Sequence, residues 1–227
     1  MRVFAIDTAL EACSAAVFDT ERDDIVARES IAMARGHAEA LMPLIARVIE
    51  AAKLDFRQID RFAVTTGPGS FTGLRVGIAA ARGLALAAGK PVVGLSTLSA
   101  LAAPLIAADA TIPVVAAIDA RHGHVYLQVF AAGGRTLVAP RVVSLSDAVN
   151  VSRGGAPRLI GSGAAMLAAL WPGPDRAPTS VDVTPAADID WVARLGATLI
   201  ENAAPAKPFY LRAPDAQPQH ASQLARR

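Results

Sequence analysis

Val114-Val115-Ala116-Ala117-Ile118-Asp119-Ala120-Arg121-His122-Gly123-His124 repeats a pattern the chain has already used once. An apolar run ends in aspartate, turns, and returns as a second apolar run through Phe130. The N-terminus reads the same way: residues 3–6 are apolar, Asp7 follows, and residues 14–18 return. A third run covers 25–31, and such close spacing predicts an antiparallel meander. Internal self-similarity points to duplication. The chain therefore reads as two related α/β domains, 1–108 and a smaller 109–227 that closes with a Pro-rich tail.

Working outward, apolar residues at 41, 44, 45, 48, 49 and 52 predict an amphipathic helix. Pro43 places itself either in the first turn of that helix or at a kink. Residues 62–66 predict a strand and 72–88 a helix, stopped by Gly89 and Pro91. Residues 92–95 form another strand, with Ser96 or Thr97 capping the next helix. The second half predicts a helix from about Ser146, a strand at 159–160, a Gly161-Ser162-Gly163 turn into a helix, and a last helix over 188–202. The tail from Ala203 reads as an extended strap or a loose end. Alternating strands and helices imply parallel pairing with helical crossovers. Two domains that each open on a strand-Asp-turn-strand hairpin resemble the actin, Hsp70 and sugar-kinase superfamily, with its RNase H-like domains. There the two hairpins face a cleft and grip nucleotide phosphates. The turn after Asp7, Thr8-Ala9-Leu10-Glu11-Ala12, lacks the glycine of active members, so the fold is expected in a degenerate form.

Hydrophobic residues make up 53% of the 227 and charged residues 19%, enough for a large core and too little charge for disorder. A net charge of +2 does not announce a nucleic-acid binder. The basic end, Arg226 and Arg227, is a short tail. The single cysteine, Cys13, excludes an internal disulfide and a Cys-based metal site. Arg82 and Pro104 break the longest apolar runs, so no membrane span is expected and the chain reads as cytoplasmic.

The segment richest in chemistry is Thr65-Thr66-Gly67-Pro68-Gly69-Ser70-Phe71-Thr72-Gly73-Leu74-Arg75-Val76-Gly77. A Gly-rich turn between strand and helix can offer backbone N–H groups to an anion. It is not a P-loop, because Leu74 follows Gly73 where that motif has Lys. Weak nucleotide-binding candidates are Asp7, Thr8, Gly67, Gly69, Ser70 and Asp119; the competing role for each is to cap or close its own turn. Gly73, Gly77 and Ala81 share one helix face. Each helical glycine costs about 1 kcal/mol relative to alanine, so another helix approaching closely, inside the chain or from a partner, is the expected compensation. Arg75 and Arg82 lie on the same helix. Of the four histidines, His37, His122, His124 and His220, two alternate but a third ligand is missing, so no metal site is expected. No nucleophile-base pair stands out, and no catalytic residue is assigned.

Residues 66–77 are similar to the bacterial TsaB (YeaZ) family. Supporting matches are Ile6-Asp7-Thr8, His37-Ala38-Glu39-Ala40-Leu41-Met42-Pro43-Leu44-Ile45, Gly94-Leu95-Ser96-Thr97-Leu98, Ile118-Asp119-Ala120-Arg121 and Tyr210-Leu211-Arg212-Ala213-Pro214-Asp215-Ala216, in order and nearly end to end. The resemblance implies a non-catalytic paralogue of TsaD, the subunit that transfers threonylcarbamoyl to N6 of adenosine 37 in tRNAs reading A-starting codons. It implies a heterodimer with a TsaD-type paralogue through helices of the N-terminal domain. A TsaE-type ATPase joins the assembly, tRNA is met only through the complex, and any ATP/ADP–Mg binding is weak. The catalytic paralogue has two metal-binding histidines where this chain has Ser96-Thr97-Leu98-Ser99-Ala100. The expected partner contacts are His37, Leu41, Leu44, Gly73, Arg75, Gly77 and Ala81. On that expectation Gly77→Leu loses the partner and keeps the fold. Competing functions are an active kinase or ATPase, a peptidase, and a homodimer that forms in isolation on the same face.

Overall fold

The computed structural model describes residues 1–152, 154–174, 176–201 and 206–212. The first sheet is built from β1 (Arg2–Asp7), β2 (Ala12–Asp19), β3 (Asp24–Ala32), β4 (Arg61–Gly67) and β5 (Val92–Ser96). Its order is β3-β2-β1-β4-β5. The second uses β6 (Val114–Asp119), β7 (His124–Phe130), β8 (Thr136–Ser144), β9 (Arg158–Ile160) and β10 (Ser180–Asp182). Read from its other edge, its order is β8-β7-β6-β9-β10. The two sheets therefore share one topology: an antiparallel meander on one side and parallel strands on the other. Helices fall at matching places. In chain order α1 (His37–Ala52), α2 (Phe71–Ala88) and α3 (Thr97–Ala108) follow strands of the first half, and α4 (Leu145–Ser152), α5 (Ala164–Ala169) and α6 (Ile189–Thr198) follow those of the second. This duplicated order is the two-lobed actin-like architecture.

The layers explain the strand sequences. Phe4, Ile6 and Val64 face a core with α1 and α2, while Val3, Ala5 and Ala63 face the opposite side. In the second sheet, Val115 and Ala117 face α4 and α5, while Val114, Ala116 and Ile118 face inward. The inward faces of both sheets meet in one core filled by α3 and α6. Central strands covered on both faces read as continuous apolar runs rather than alternating ones.

The 1–108 and 109–227 division separates the sheets but not the cores. α6 returns to pack on β1, β2 and β4 of the first sheet. A Cβ on Gly196 would sit 2.3 Å from the Ala63 Cβ, so only glycine allows this approach. Arg61 Nη1 donates to the carbonyls of Gly196, Ala197 and Leu199 at 3.1, 3.0 and 2.8 Å. These are the carbonyls a helix end leaves unpaired, which is why α6 stops at Thr198 and not near 202.

Other differences from the sequence expectations are local. Pro43 lies six residues after the start of α1, beyond its first turn. Ser96 occupies the N-cap position of α3 without making a side-chain cap bond. α2 has the length and mean hydropathy (1.3 over 18 residues) of a membrane span, contrary to the expectation from Arg82, but its inner face is core. His220, residues 213–216 of the C-terminal match, and Arg226 and Arg227 lie outside the described residues.

Candidate functional site

The loop from β4 to α2 meets the turn from β1 to β2, and both are closed on each other. Ser70 N–H donates to the Ala9 carbonyl at 2.7 Å. The Ser70 hydroxyl then accepts from Gly73 N–H at 3.2 Å and caps α2. A Cβ on Gly69 would lie 2.3 Å from the Ala9 carbonyl oxygen, and one on Gly73 would lie 2.1 Å from that of Thr8. The Thr8 hydroxyl donates to the Gly73 carbonyl at 2.7 Å. These glycines let backbone approach backbone, and the Ser70 and Gly73 amides are spent inside the chain.

Gly77 and Ala81 continue this inward face. A Cβ on Gly77 would lie 2.3 Å from the Thr8 hydroxyl oxygen, and Ala81 is fully buried. Gly73 and Gly77 are thus covered by the chain's own first hairpin, and Ala81 lies in the core beneath the helix. Leu41 and Leu44 are core residues on the same side of the sheet. His37 is buried, with Nε2 3.0 Å from the Leu10 carbonyl oxygen. Of the seven expected contacts, only Arg75 is exposed.

Helical periodicity turns a different stripe outward: Thr72, Arg75, Ala79, Arg82, Gly83 and Leu86 are exposed on α2. Leu86 is 85% exposed. On neighbouring α1, Ala38, Met42, Pro43 and Ala46 are exposed. The sequence held the signal for this face. Leu74, Ile78 and Ala85 belong to the core, and they share a side of the helix with Gly73, Gly77 and Ala81.

Asp7 is fully buried at the end of β1. Its Oδ1 accepts from Ala9 N–H at 3.0 Å and from the Thr65 hydroxyl. Its Oδ2 has no hydrogen-bond partner among the described residues. Burial pushes this carboxyl above the ordinary carboxylate range, against the pull of Thr65, Ala9 and His37. The folded state then binds this proton more tightly than the unfolded one. Asp7's contribution to stability is therefore lost as pH rises above the ordinary range. Asp7→Asn keeps an oxygen for both donors and removes the charge. Its melting temperature, followed by circular dichroism, should exceed the parent's at pH 7, with the gap closing toward pH 4. A lower melt at pH 7 would show that the carboxylate is compensated.

Asp119, at the matching end of β6, is exposed. It closes its own turn by accepting from Arg121 N–H at 2.7 Å, and its N–H donates to the Ser162 hydroxyl at 3.1 Å. Gly69, Ser70, Asp119, Arg121 and Ser162 line one cleft of about 680 Å³ between the lobes, together with Arg35 and Tyr210. Asp7, Thr8 and Gly67 are not among its lining residues. The nucleotide candidates are thus split, with three at the cleft wall and three behind it. Gly67 has φ +120° and lies against Phe209.

Residues 28–167 match the family described as TsaD, tRNA N6-adenosine threonylcarbamoyltransferase. The tRNA threonylcarbamoyladenosine biosynthesis protein TsaB of Escherichia coli (strain K12) is 40% identical over 126 residues, covering 56% of this chain and 53% of that protein. An uncharacterized protein of Mycobacterium tuberculosis (strain ATCC 25618 / H37Rv) is 36% identical over 220 residues, covering 95% of this chain and 94% of its own. The crystal structure of YeaZ from Pseudomonas aeruginosa superposes with a TM-score of 0.74 at 26% identity, covering 92% of this chain and 99% of that one. The chain spans about half the length of the curated TsaB relatives it matches.

Proposed function

The chain belongs to the TsaB (YeaZ) family, and on that premise we propose that it is a non-catalytic subunit required for threonylcarbamoyl transfer to N6 of adenosine 37 in tRNA. It acts in the cytoplasm by pairing with a TsaD-type paralogue. A TsaE-type ATPase joins the assembly, tRNA is reached through the complex, and the chain holds no tightly bound cofactor, ATP/ADP–Mg binding only weakly in the assembled complex.

One observation carries the non-catalytic part. The loop that would cradle a phosphate gives its Ser70 amide to Ala9 and seats Gly69 and Gly73 on the first hairpin. Phosphate capture needs free N–H groups aimed at the anion. The partner role is supported by the outer stripe of α2 with the exposed part of α1. Leu86 and Met42 are large exposed apolar residues beside the small Ala79, Gly83 and Ala46. Large apolar side chains among small ones suit a helix laid along them. In the absence of the paralogue, the same face serves to pair two copies.

Shutting off expression of the chain should deplete threonylcarbamoyladenosine from tRNA, as read by mass spectrometry of tRNA hydrolysates. Asp119→Asn, which removes the charge but keeps the oxygen that accepts from Arg121 N–H and closes the turn, should restore it in full. Unchanged modification after depletion would refute the role. Failure of a folded Asp119→Asn protein to restore it would point instead to an active phosphate site.

A further inference from the structure

Residues 206–212 cross from one lobe to the other at the mouth of the cleft. Phe209 N–H donates to the Thr66 carbonyl at the end of β4, at 2.8 Å. The Tyr210 ring stacks on Phe71 with centroids 4.8 Å apart. Its phenol oxygen accepts from Arg75 Nε at 3.0 Å, and the Arg75 guanidinium lies 3.8 Å from the Phe71 ring centroid. On the other lobe, Arg212 Nη1 donates to the Ala120 carbonyl, in the turn after Asp119, at 3.2 Å. The path is built into the first lobe, because a Cβ on Gly67 would lie 2.8 Å from the Phe209 carbonyl oxygen.

We infer that residues 206–212 form a clasp that ties the second hairpin to the first turns of α2 and holds α2 ready for its partner. The coupling to the partner rests on the pairing proposed above. Each contact is weak alone, but a short segment anchored at both ends joins them into one unit. Arg75 and Phe71 stand at the head of the outward stripe of α2. With the clasp seated, Arg75 is held between a phenol and an aromatic face. A long side chain fixed before docking costs less entropy on docking. Unseating the clasp should therefore loosen both lobes at once and weaken docking, although no residue of the α2 stripe has changed.

The test compares the full chain with Tyr210→Ala/Arg212→Ala and with Tyr210→Phe. Amide hydrogen exchange is followed on the chain alone. Affinity for the TsaD-type paralogue is measured by calorimetry. The double variant should speed exchange in residues 71–76 and in 120–124 together, and lower affinity about tenfold. Tyr210→Phe keeps the stack and should stay much closer to the parent in both. Faster exchange confined to 206–212 would overturn the clasp, since the two lobes would not be tied through it. Faster exchange in both places with unchanged affinity would overturn its link to docking. No binding by the unaltered chain would refute the pairing itself, and the docking half of the inference with it, while exchange still judges the tie between lobes.

Discussion

Leucine at Gly77 should unfold the chain or lower its melting temperature by about 10 °C or more, rather than spare the fold and cost only a partner. The Cβ alone would enter to 2.3 Å from the Thr8 hydroxyl oxygen. That hydroxyl is committed to the Gly73 carbonyl at 2.7 Å, so it cannot turn away freely. Val64 Cγ2 stands 3.6 Å from the same point, which leaves no room for a larger side chain. Overpacking a core costs about 1–3 kcal/mol, and more when backbone must move. For a chain of this size, each kcal/mol shifts the melt by about 2–4 °C. Gly77→Ala should move the melt in the same direction by less, because its methyl group meets the same hydroxyl. Circular dichroism melts of the two variants decide it. A Gly77→Leu protein that melts like the parent would return this face to the surface.

Glutamate at both Ala79 and Leu86 should do the opposite, leaving the fold intact and removing the partner. Both side chains point outward on α2. Glutamate is a good helix former, so the melt should stay within about 2 °C of the parent. At the centre of a helix-helix contact, two carboxylates would have to be stripped of water, a cost that pairing with Arg75 and Arg82 on the same stripe offsets only in part. Affinity for the TsaD-type paralogue should fall by about a hundredfold or more, worth about 2.7 kcal/mol. Calorimetry on the folded variant checks it. Retained affinity would place the partner on another surface.

The contrast between these variants marks where the sequence was informative. Repeated strand-Asp-turn-strand units made the duplicated fold legible, because central strands covered on both faces must be apolar without interruption. Three pieces were hidden. β10 is three residues long at a sheet edge, too short to show a period. β8 contains Pro140 and is largely half-exposed at a sheet edge, where a missing N–H is tolerated and the apolar signal is thin. α6 lies 122 residues or more beyond β4 in the chain, and nothing local tells that Gly196 will rest on Ala63. The candidate site was legible in composition but not in direction. Gly73 and Gly77 demanded a close neighbour, and the sequence could not name it. The neighbour is the turn at Thr8, in the same chain. The missing glycine after Asp7 belongs to this arrangement, since Ala9 fills the place where that hairpin meets Gly69.

Mixing the purified chain with its TsaD-type paralogue, and weighing the product by size exclusion with light scattering while following ATP hydrolysis, decides between subunit and enzyme. The proposal predicts a stable heterodimer and no turnover by this chain alone. Robust ATP hydrolysis by the isolated chain, with no association, would contradict it and make the cleft at Asp119 a working phosphate site.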